Sequence, residues 1–240
     1  MPGSLSIVIP AYNEESRLPD TLSAIAAYLA ASDFDPVEIL VVDDGSSDGT
    51  ARAADEAARR DPRIRVLRNP GNRGKGYSVR HGMLEARHDW VLFTDADLSA
   101  PIAELGKLRE ATAGAEIIIG SRGLDRSLIG VHQSPFREAA GRFFNLVMRA
   151  TTGLPFRDTQ CGFKLFRRDA AQAVFSRLRL ERFGFDVEAL FVARRLGFRV
   201  AEVPVRWNHV EGSKVSMLAG LDGFLDILRV RRNQWLGRYR

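Results

Sequence analysis

Two aspartates, one residue apart, follow an apolar run in the first half of the chain. Asp95 and Asp97 come just after Trp90–Phe93, a segment typical of a buried strand. Charged side chains are almost never fully buried unless they are paired or bind a metal, and carboxylate oxygens are ligands that Mg²⁺ and Mn²⁺ prefer. The pattern therefore predicts a divalent-metal site completed by substrate phosphates. The alternative is a solvent-exposed strand end whose aspartates cap a helix.

Acidic residues also follow two earlier apolar runs. Glu14 follows Ser6–Pro10, and Asp43 and Asp44 follow Ile39–Val42. The segment between these two runs has the apolar spacing of a helix, so strands and helices alternate. That alternation predicts a mostly parallel sheet with helices on both faces, and ligands of such sheets bind at the carboxyl ends of the strands. The acidic clusters should therefore converge on one crevice.

A glycine-rich basic stretch lies between the second and third acidic clusters. Asn72–Gly76 precedes a helix that is predicted to begin near Tyr77. Backbone N–H groups at a helix start attract anions, and the Lys75 ammonium adds a positive charge there. Lys75 either contacts a phosphate directly or is a solvated lysine beside a glycine turn. The spacing differs from that of a P-loop.

The order and spacing of these motifs resemble those of the family 2 glycosyltransferases. The segments that carry the resemblance are Pro10–Glu14, Val42–Thr50, Asn72–Gly76 and Asp95–Asp97. A second set of segments resembles the dolichyl- or polyprenyl-phosphate sugar synthases, with the glucosyl branch closer than the mannosyl branch. That set is Gly120–Arg122, Asp158–Lys164, Phe185–Glu188 and Glu211–Lys214. The resemblance extends over nearly the whole chain.

The resemblance implies both a fold and a reaction. The fold would be the α/β nucleotide-diphospho-sugar transferase (GT-A) fold, with a catalytic domain at 1–216 and an amphipathic basic helix or tail at 217–240. The reaction would be an inverting transfer of a hexose from UDP-glucose to polyprenyl or dolichyl phosphate, with Mg²⁺ or Mn²⁺ stabilising the departing diphosphate. Mannosyl relatives often carry Arg where this chain has Asn208. That difference favours UDP-glucose, and a GDP-mannose-dependent transferase is the alternative.

The resemblance also assigns roles to residues on the donor side. The residues expected to bind the nucleotide sugar are Pro10, Tyr12, Glu14, Val42, Asp44, Lys75, Asp95 and Lys214. Asp97 is expected to bind the metal, and Asp95 either the metal or the ribose. Tyr12 and Glu14 also have ordinary structural interpretations, which are packing at a strand end and a favourable charge at a helix N-terminus.

Two arginines are expected to bind the acceptor phosphate. They are Arg122 and Arg137, because a guanidinium binds phosphate in bidentate geometry, and with Asp97 they form the predicted catalytic set. A phosphate monoester is largely dianionic at neutral pH, so it can attack C1 of the sugar without a general base. A soluble or protein-linked hydroxyl acceptor would require one, and Asp158 or Asp186 would then become essential.

Basic residues cluster at the end of this chain. The formal net charge is +5 over 240 residues, and five arginines lie in the last dozen positions. Apolar residues at helical spacing within 218–228 complete an amphipathic helix, which either binds a membrane surface or docks on its own domain. Phe136–Ala150 resembles the amphipathic interface helix of the lipid-phosphate synthases. A peripheral membrane surface is therefore an expected partner.

No signal peptide or transmembrane span is expected from the sequence. This predicts a cytoplasmic protein at the membrane face, which reaches the lipid by itself or through a membrane partner subunit. Nucleic acid is not an expected partner, because no nucleic-acid-binding motif accompanies the basic residues. The alternative outside enzymes is a nucleotide-sugar-binding partner subunit, and the intact Asp95 and Asp97 pair speaks against it.

Overall fold

The computed structural model describes residues 3–131, 135–210 and 217–239, except for the side chains at 135–142, 144 and 217–224. The strands within these ranges are β1 (Leu5–Ala11), β2 (Val37–Asp43), β3 (Ile64–Arg68), β4 (Trp90–Thr94), β5 (Ile117–Ser121), β6 (Ile129–Val131), β7 (Phe163–Arg167), β8 (Val200–Pro204) and β9 (Trp207–Asn208). The helices are α1 (Leu18–Ala30), α2 (Thr50–Arg60), α3 (Lys75–Glu85), α4 (Leu105–Glu110), α5 (Pro135–Thr152), α6 (Arg168–Phe175), α7 (Phe185–Arg195) and α8 (Met217–Trp235).

Most of the strands form one sheet, in the order β3–β2–β1–β4–β7–β5–β8. Strand β7 runs antiparallel to β4 and β5, and the other neighbouring strands are parallel. Strands β6 and β9 form a separate parallel pair. The reversal places Phe163, the first residue of β7, opposite Thr94 at the carboxyl end of β4. The segment that leads into β7 therefore reaches the same edge of the sheet as the acidic clusters.

Alternate residues of the central strands pack into two hydrophobic cores, one on each face of the sheet. In β1, Ile7 and Ile9 lie in one core and Val8 lies in the other, as the two-residue period of a strand requires. Helix α1 packs into the first core, and α3, α6 and α7 pack into the second. Both faces are buried, which explains why these strands are almost continuously apolar. The predicted α/β architecture with helices on both faces is confirmed.

The C-terminal helix α8 packs against α5 and α7. Ile227 and Val230 of α8, with Tyr239 just beyond it, lie in the second core. Leu228 and Trp235 are exposed, Trp235 to 92%. The helix is therefore docked on the domain and also presents apolar side chains to solvent, while a division of the chain at residue 216 stays a prediction. None of the described helices combines the length and the apolar character that a bilayer crossing requires.

Candidate active site

A cleft of about 340 Å³ lies at the carboxyl ends of β1, β2 and β4. Most of the residues predicted to bind the nucleotide sugar or the metal line it. They are Pro10, Tyr12, Glu14, Asp44, Lys75, Asp95 and Asp97. The predicted convergence of the acidic clusters on one crevice is therefore what the structure shows. The ligand that each residue contacts stays a prediction.

Other predicted residues lie away from this lining. Val42 is fully buried in β2, where it faces Gly82 of α3, so its side chain supports the cleft from beneath. Arg122 directly follows β5, on the far side of β4 in the sheet order. Lys214 and the side chain of Arg137 lie outside the described residues.

Hydrogen bonds between two loops fix the part of the cleft that follows β1. The amide N–H of Asn13 donates to Ser46 Oγ at 2.9 Å, and the amide N–H of Ser47 donates back to Asn13 Oδ1 at 2.8 Å. The next amide, that of Glu14, donates to Thr50 Oγ1 at 2.7 Å. Asn13 adopts a left-handed φ of 55°, which asparagine tolerates better than most residues. The second acidic motif thus holds the first one in place and sets the position of Glu14.

The Asp44 carboxylate organises the glycine-rich loop. Its Oδ1 accepts hydrogen bonds from the Asn69 side-chain amide at 2.7 Å and from the Arg73 backbone N–H at 3.0 Å. Its Oδ2 accepts from the Gly74 backbone N–H at 2.7 Å. Asp44 borders the cleft but is almost fully buried, because the loop folds over it. Sequence reasoning directed this carboxylate to the nucleotide, and the structure directs both of its oxygens to the loop.

The glycines of that loop permit a close approach to the segment before α7. A Cβ atom at Gly74 would lie 2.7 Å from the Glu181 carbonyl oxygen, and one at Gly76 would lie 2.7 Å from the Arg182 carbonyl oxygen. Gly74 also has a φ of 104°, a conformation that favours glycine. The Arg73 guanidinium pairs with the Glu181 carboxylate at 2.5 Å. These contacts bring the 181–183 segment to the rim of the cleft.

Arg182 and Phe183 line the cleft as a result. Sequence reasoning missed both residues, since it began its last motif in this region at Phe185. The available signal was a basic residue and an aromatic residue directly before Gly184, at the start of a predicted buried segment. Arg182 joins Arg17 and Lys75 as a cationic residue that lines the cleft. That arrangement suits an anionic ligand such as a diphosphate.

The residues at the end of β4 fit a divalent metal that is shared with a substrate. Asp97 Oδ1 accepts the Ser99 backbone N–H at 2.9 Å, which fixes the carboxylate at the cleft. The Asp95 carboxylate lies so close to Gly162 that a Cβ atom at this glycine would be only 2.1 Å from Asp95 Oδ2. Among the described residues no group of three or more Asp, Glu, His or Cys side chains could hold a metal alone. Two carboxylates completed by phosphate oxygens are a usual donor set for Mg²⁺, so Asp95 and Asp97 fit the predicted cofactor.

Lys75 pairs with the first of these aspartates. Its Nζ lies 2.7 Å from Asp95 Oδ1 and 5.5 Å from the centroid of the Phe93 ring. Burial acts to lower the pKa of Lys75, but the negative charges of Asp95, Asp186 and Asp97 outweigh it, so the pKa is raised. Lys75 is therefore a charged ion-pair partner within the cleft, and its side chain is only 26% exposed. The interpretation of Lys75 as a solvated lysine is wrong.

A second lysine–aspartate pair lies beneath the cleft. Lys164 of β7 forms an ion pair with Asp186 of α7 and donates to the Cys161 carbonyl oxygen at 2.6 Å. The Lys164 Nζ lies 5.7 Å from the centroid of the Phe93 ring. Burial raises the pKa of Asp186, and the charge of Lys164 acts against that rise. Asp186 is thus buried and paired with the Lys164 ammonium group.

Glu188, two residues further along α7, faces a different part of the molecule. Its Oε2 accepts backbone N–H groups of Arg179 and Leu180 at 3.0 and 2.8 Å, and its Oε1 accepts the Tyr239 hydroxyl at 2.6 Å. Positions two apart on a helix do not share a face, and the structure confirms that expectation for Asp186 and Glu188. Glu188 connects α7 to the C-terminal segment and does not reach the cleft.

Arg122 and Asp158 form a bidentate ion pair on the other side of β4. Arg122 Nε and Nη2 lie 2.6 and 2.9 Å from the two Asp158 oxygens, and the Arg122 backbone N–H also donates to Oδ2 at 3.0 Å. The guanidinium carbon lies 5.2 Å from the centroid of the Trp207 ring. Burial would raise the pKa of Asp158, but the Arg122 charge and its hydrogen bonds hold it at about 2. Asp158 therefore stays ionised and paired at neutral pH.

Comparisons with known proteins agree with this architecture. Residues 6–175 match the sequence profile described as "Glycosyl transferase family 2". The chain is 36% identical over 251 residues to the dolichyl-phosphate beta-glucosyltransferase of Homo sapiens, covering 98% of this chain and 77% of that protein. It is 38% identical over 250 residues to the enzyme of the same name from Drosophila melanogaster, covering 96% and 76%. The resemblance to the glucosyl branch is confirmed.

Solved structures show the same fold. Glucosyl-3-phosphoglycerate synthase from Mycobacterium tuberculosis, in complex with Mn²⁺, UDP and glucosyl-3-phosphoglycerate, superposes with a TM-score of 0.67 at 20% identity. The match covers 95% of this chain and 79% of that one. The same synthase has also been solved with Mg²⁺ and UDP, and that structure matches with a TM-score of 0.66. The predicted GT-A fold is confirmed. The chain is a glycosyltransferase and belongs to glycosyltransferase family 2.

Proposed function

We propose that this enzyme transfers glucose from UDP-glucose to dolichyl or polyprenyl phosphate, with inversion at C1 of the sugar. The names of its relatives support the acceptor class and the sugar. The observation that carries the proposal is the pairing of Asp158 and Asp186 with cationic side chains. An acceptor that is already an anion needs no base, whereas a hydroxyl acceptor does.

The donor binds in the cleft at the ends of β1, β2 and β4. Tyr12 offers an aromatic face for the base, and Glu14 offers a carboxylate to base or ribose donors. Asp95 and Asp97 would hold Mg²⁺ or Mn²⁺, which would supply positive charge to the diphosphate leaving group. Arg182 and Lys75 supply further positive charge at the wall that faces the diphosphate.

The acceptor approaches from the side of β5 and β7. Arg122 keeps N–H groups beyond those that bind Asp158, and these receive the acceptor phosphate, with Arg137 as a second phosphate ligand. Asp158 has a pKa of about 2, so it is too weak a base to accept a proton from a sugar hydroxyl near neutral pH. Lys214, which lies outside the described residues, is assigned to the donor diphosphate by the family resemblance alone. The nucleophile is then the acceptor phosphate oxygen itself.

Exposed apolar residues on α5 and α8 suit a lipid acceptor. The two helices pack together, and each presents large apolar side chains to solvent. These are Phe143, Leu146, Leu225, Leu228 and Trp235. Arg231 and Arg232 are exposed on α8 as well. An apolar patch with neighbouring arginines binds anionic membrane surfaces, so the enzyme meets its acceptor at the bilayer surface.

The experiment follows radiolabelled sugar from UDP-glucose or GDP-mannose into a polyprenyl phosphate, with Mn²⁺ or with EDTA. We expect Mn²⁺-dependent label in the organic phase from UDP-glucose and background label from GDP-mannose. The matched control acceptor is the corresponding polyprenol, which has a hydroxyl in place of the phosphate and should remain unlabelled. Equal labelling of the polyprenol would overturn the phosphate nucleophile, and label from GDP-mannose alone would overturn the donor.

The membrane component has its own test, which is sedimentation with vesicles of neutral or anionic lipid. The double variant L228E/W235E should lose most of its binding to anionic vesicles, because both side chains are exposed on α8. L196E provides a control, since Leu196 is also exposed but lies at the end of α7. Unchanged binding of the double variant would place the membrane surface elsewhere.

A further inference from the structure

The Lys75–Asp95 ion pair engages a carboxylate that the proposed metal would need as a ligand. Lys75 is the first residue of α3, and its Nζ lies 2.7 Å from Asp95 Oδ1. Within the part of the chain that the structure describes, this buried oxygen accepts no hydrogen bond of good geometry, and the Lys75 ammonium is its ion-pair partner. The carboxylate best placed to join Asp97 around a metal is thus covered by an ammonium group.

We propose that Lys75 is a stand-in cation, which holds the Asp95 carboxylate in the metal-free enzyme and releases it when the metal–nucleotide complex enters the cleft. This rests on the proposed function only in taking a metal-bound nucleotide diphosphate as the ligand. Lys75 then turns to the diphosphate, which lies at the same wall. The enzyme would bind the metal weakly alone and tightly together with the nucleotide.

The charges around the cleft explain why such a cation is needed. Asp95 and Asp97 lie at the same strand end, and carboxylates that share a site repel each other. Asp186 is also close enough to act on Lys75, but its own charge is offset by Lys164. Without Lys75, Asp95 would be a half-buried carboxylate with no other cation at ion-pair distance among the described residues, although the Arg122 charge acts on it from further away. An ammonium group there preserves the carboxylate position until the metal arrives.

The side chain of Lys75 is suited to moving between two anions. A lysine carries a compact charge on a flexible stem, whereas an arginine forms a planar fork that is more firmly oriented. Lys75 is paired with Asp95 on one side, and it borders the open space of the cleft on the other. Arg182 borders the same space. The diphosphate would therefore give Lys75 an equivalent anionic partner when its ammonium group leaves the Asp95 carboxylate.

The arrangement couples the two ligands in both directions. A cation that must leave Asp95 competes with metal binding in the absence of nucleotide, and the same cation favours nucleotide binding once the metal is in place. Coupling of this kind is reciprocal and commonly amounts to about 5- to 150-fold in affinity. The sign of the effect of removing Lys75 should therefore depend on whether nucleotide is present.

The test measures Mn²⁺ binding directly, by electron paramagnetic resonance of free Mn²⁺, with and without UDP and with no acceptor. Lys75→Met should bind Mn²⁺ alone about tenfold more tightly than the wild type, in the range of ordinary coupling. With UDP present the order should reverse, and Lys75→Met should bind Mn²⁺ more weakly than the wild type. Lys75→Arg should not gain affinity for Mn²⁺ alone, because the charge stays against Asp95.

Two further variants make the result specific. Arg182→Met removes a positive charge from the same cleft but not from Asp95, so it should gain less than about twofold in affinity for Mn²⁺ alone. In the Asp95→Asn background, adding Lys75→Met should give no gain, since the competition no longer exists. Equal or weaker Mn²⁺ binding by a folded Lys75→Met without UDP would overturn the proposal. Failure of glucosyl transfer would leave this measurement untouched, because it involves neither donor sugar nor acceptor.

Discussion

The two sides of the sheet hold their carboxylates in different ways. On the donor side, at the ends of β2 and β4, Asp44 and Asp97 accept hydrogen bonds from main-chain N–H groups. On the acceptor side, beyond β4, Asp158 and Asp186 each lie against a cationic side chain. Among the described residues, Asp44 and Asp97 are therefore not neutralised by a direct ion pair, whereas Asp158 and Asp186 belong to ion pairs.

The difference shows how one fold separates two electrostatic tasks. A main-chain N–H orients a carboxylate without neutralising it, so the donor side can still attract a cation. A buried ion pair is rigid and almost neutral, so the acceptor side does not repel an incoming phosphate. Asp95 is the exception on the donor side, because it follows β4 but is paired with a cation, Lys75. The comparison predicts that substitution of Asp44 or Asp97 on the donor side impairs activity with little loss of stability, whereas breaking an acceptor-side ion pair also lowers stability.

The largest effect is expected from Asp97→Asn. The amide oxygen can still accept the Ser99 N–H, so the geometry survives, but the negative charge for the metal is lost. We expect a loss of about 10³-fold in kcat, equivalent to about 4 kcal/mol, with the free energy of unfolding within about 0.5 kcal/mol of wild type. Steady-state kinetics and chemical denaturation test this. A large loss of stability would show that the Asp97 charge stabilises the fold, contrary to its assignment as a metal ligand on the donor side.

Arg122→Ala should lose stability in addition to the acceptor-phosphate binding proposed for this residue. Removing the guanidinium leaves the Asp158 carboxylate buried without its cation, which costs about 3 kcal/mol of unfolding free energy. Arg122→Lys keeps the charge but loses the bidentate geometry, so it should recover only part of that stability. Denaturation curves of the two variants give the measurement. An Arg122→Ala protein as stable as wild type would show that the pair does not stabilise the acceptor side.

The Arg122–Asp158 ion pair should make the free energy of unfolding depend on pH. The folded pKa of Asp158, about 2, lies below its ordinary value of 3.8, so the pair contributes fully above pH 4 and its contribution is lost as the pH falls through about 2. The shift corresponds to about 2 kcal/mol. The stability difference between wild type and Asp158→Asn should narrow by that amount between pH 5 and pH 2. A difference independent of pH would refute the ion-pair explanation.

A smaller effect is expected from Asp44→Asn on the donor side. The amide NH2 group would replace one carboxylate oxygen, so the backbone N–H of Arg73 or of Gly74 would lose its acceptor and the glycine-rich loop would lose one of its anchors. We expect Kd for UDP to rise about tenfold, equivalent to about 1.4 kcal/mol, which calorimetry can measure. Asp55→Asn serves as a control, because Asp55 is an exposed residue of α2 paired with Arg68. Unchanged UDP binding in Asp44→Asn would show that the loop does not depend on this carboxylate.

Much of the donor side could be predicted because its signals are local. Each acidic cluster directly follows an apolar strand, and parallel strands bring their carboxyl ends to one edge. Helix α3 was placed two residues too late, because Lys75 looks like part of the loop while its backbone is already helical. The role of Asp44 was less accessible. Its partners, Asn69, Arg73 and Gly74, are 25 to 30 residues away, and nothing in the local pattern pairs them.

The acceptor side was less predictable for the same reason. The Arg122–Asp158 pair spans 36 residues and the Lys164–Asp186 pair spans 22. Both pairs depend on the reversed direction of β7, which brings the 158–164 segment to the edge where β4 and β5 end. Sequence reasoning considered Asp158 or Asp186 as a general base only under the alternative of a hydroxyl acceptor. Their partners become visible only when the strands are in place.

The sequence by itself determined the family, the α/β architecture and the edge of the sheet at which the charged residues gather, since these follow from periodicity and from residues adjacent in the chain. The tertiary structure decided which charges remain available. Whether an aspartate meets a main-chain N–H, a lysine or an arginine depends on contacts between distant segments. Those contacts set the net charge, the pKa and the freedom of each carboxylate, because electrostatic interactions depend on distance and burial and not on position in the chain.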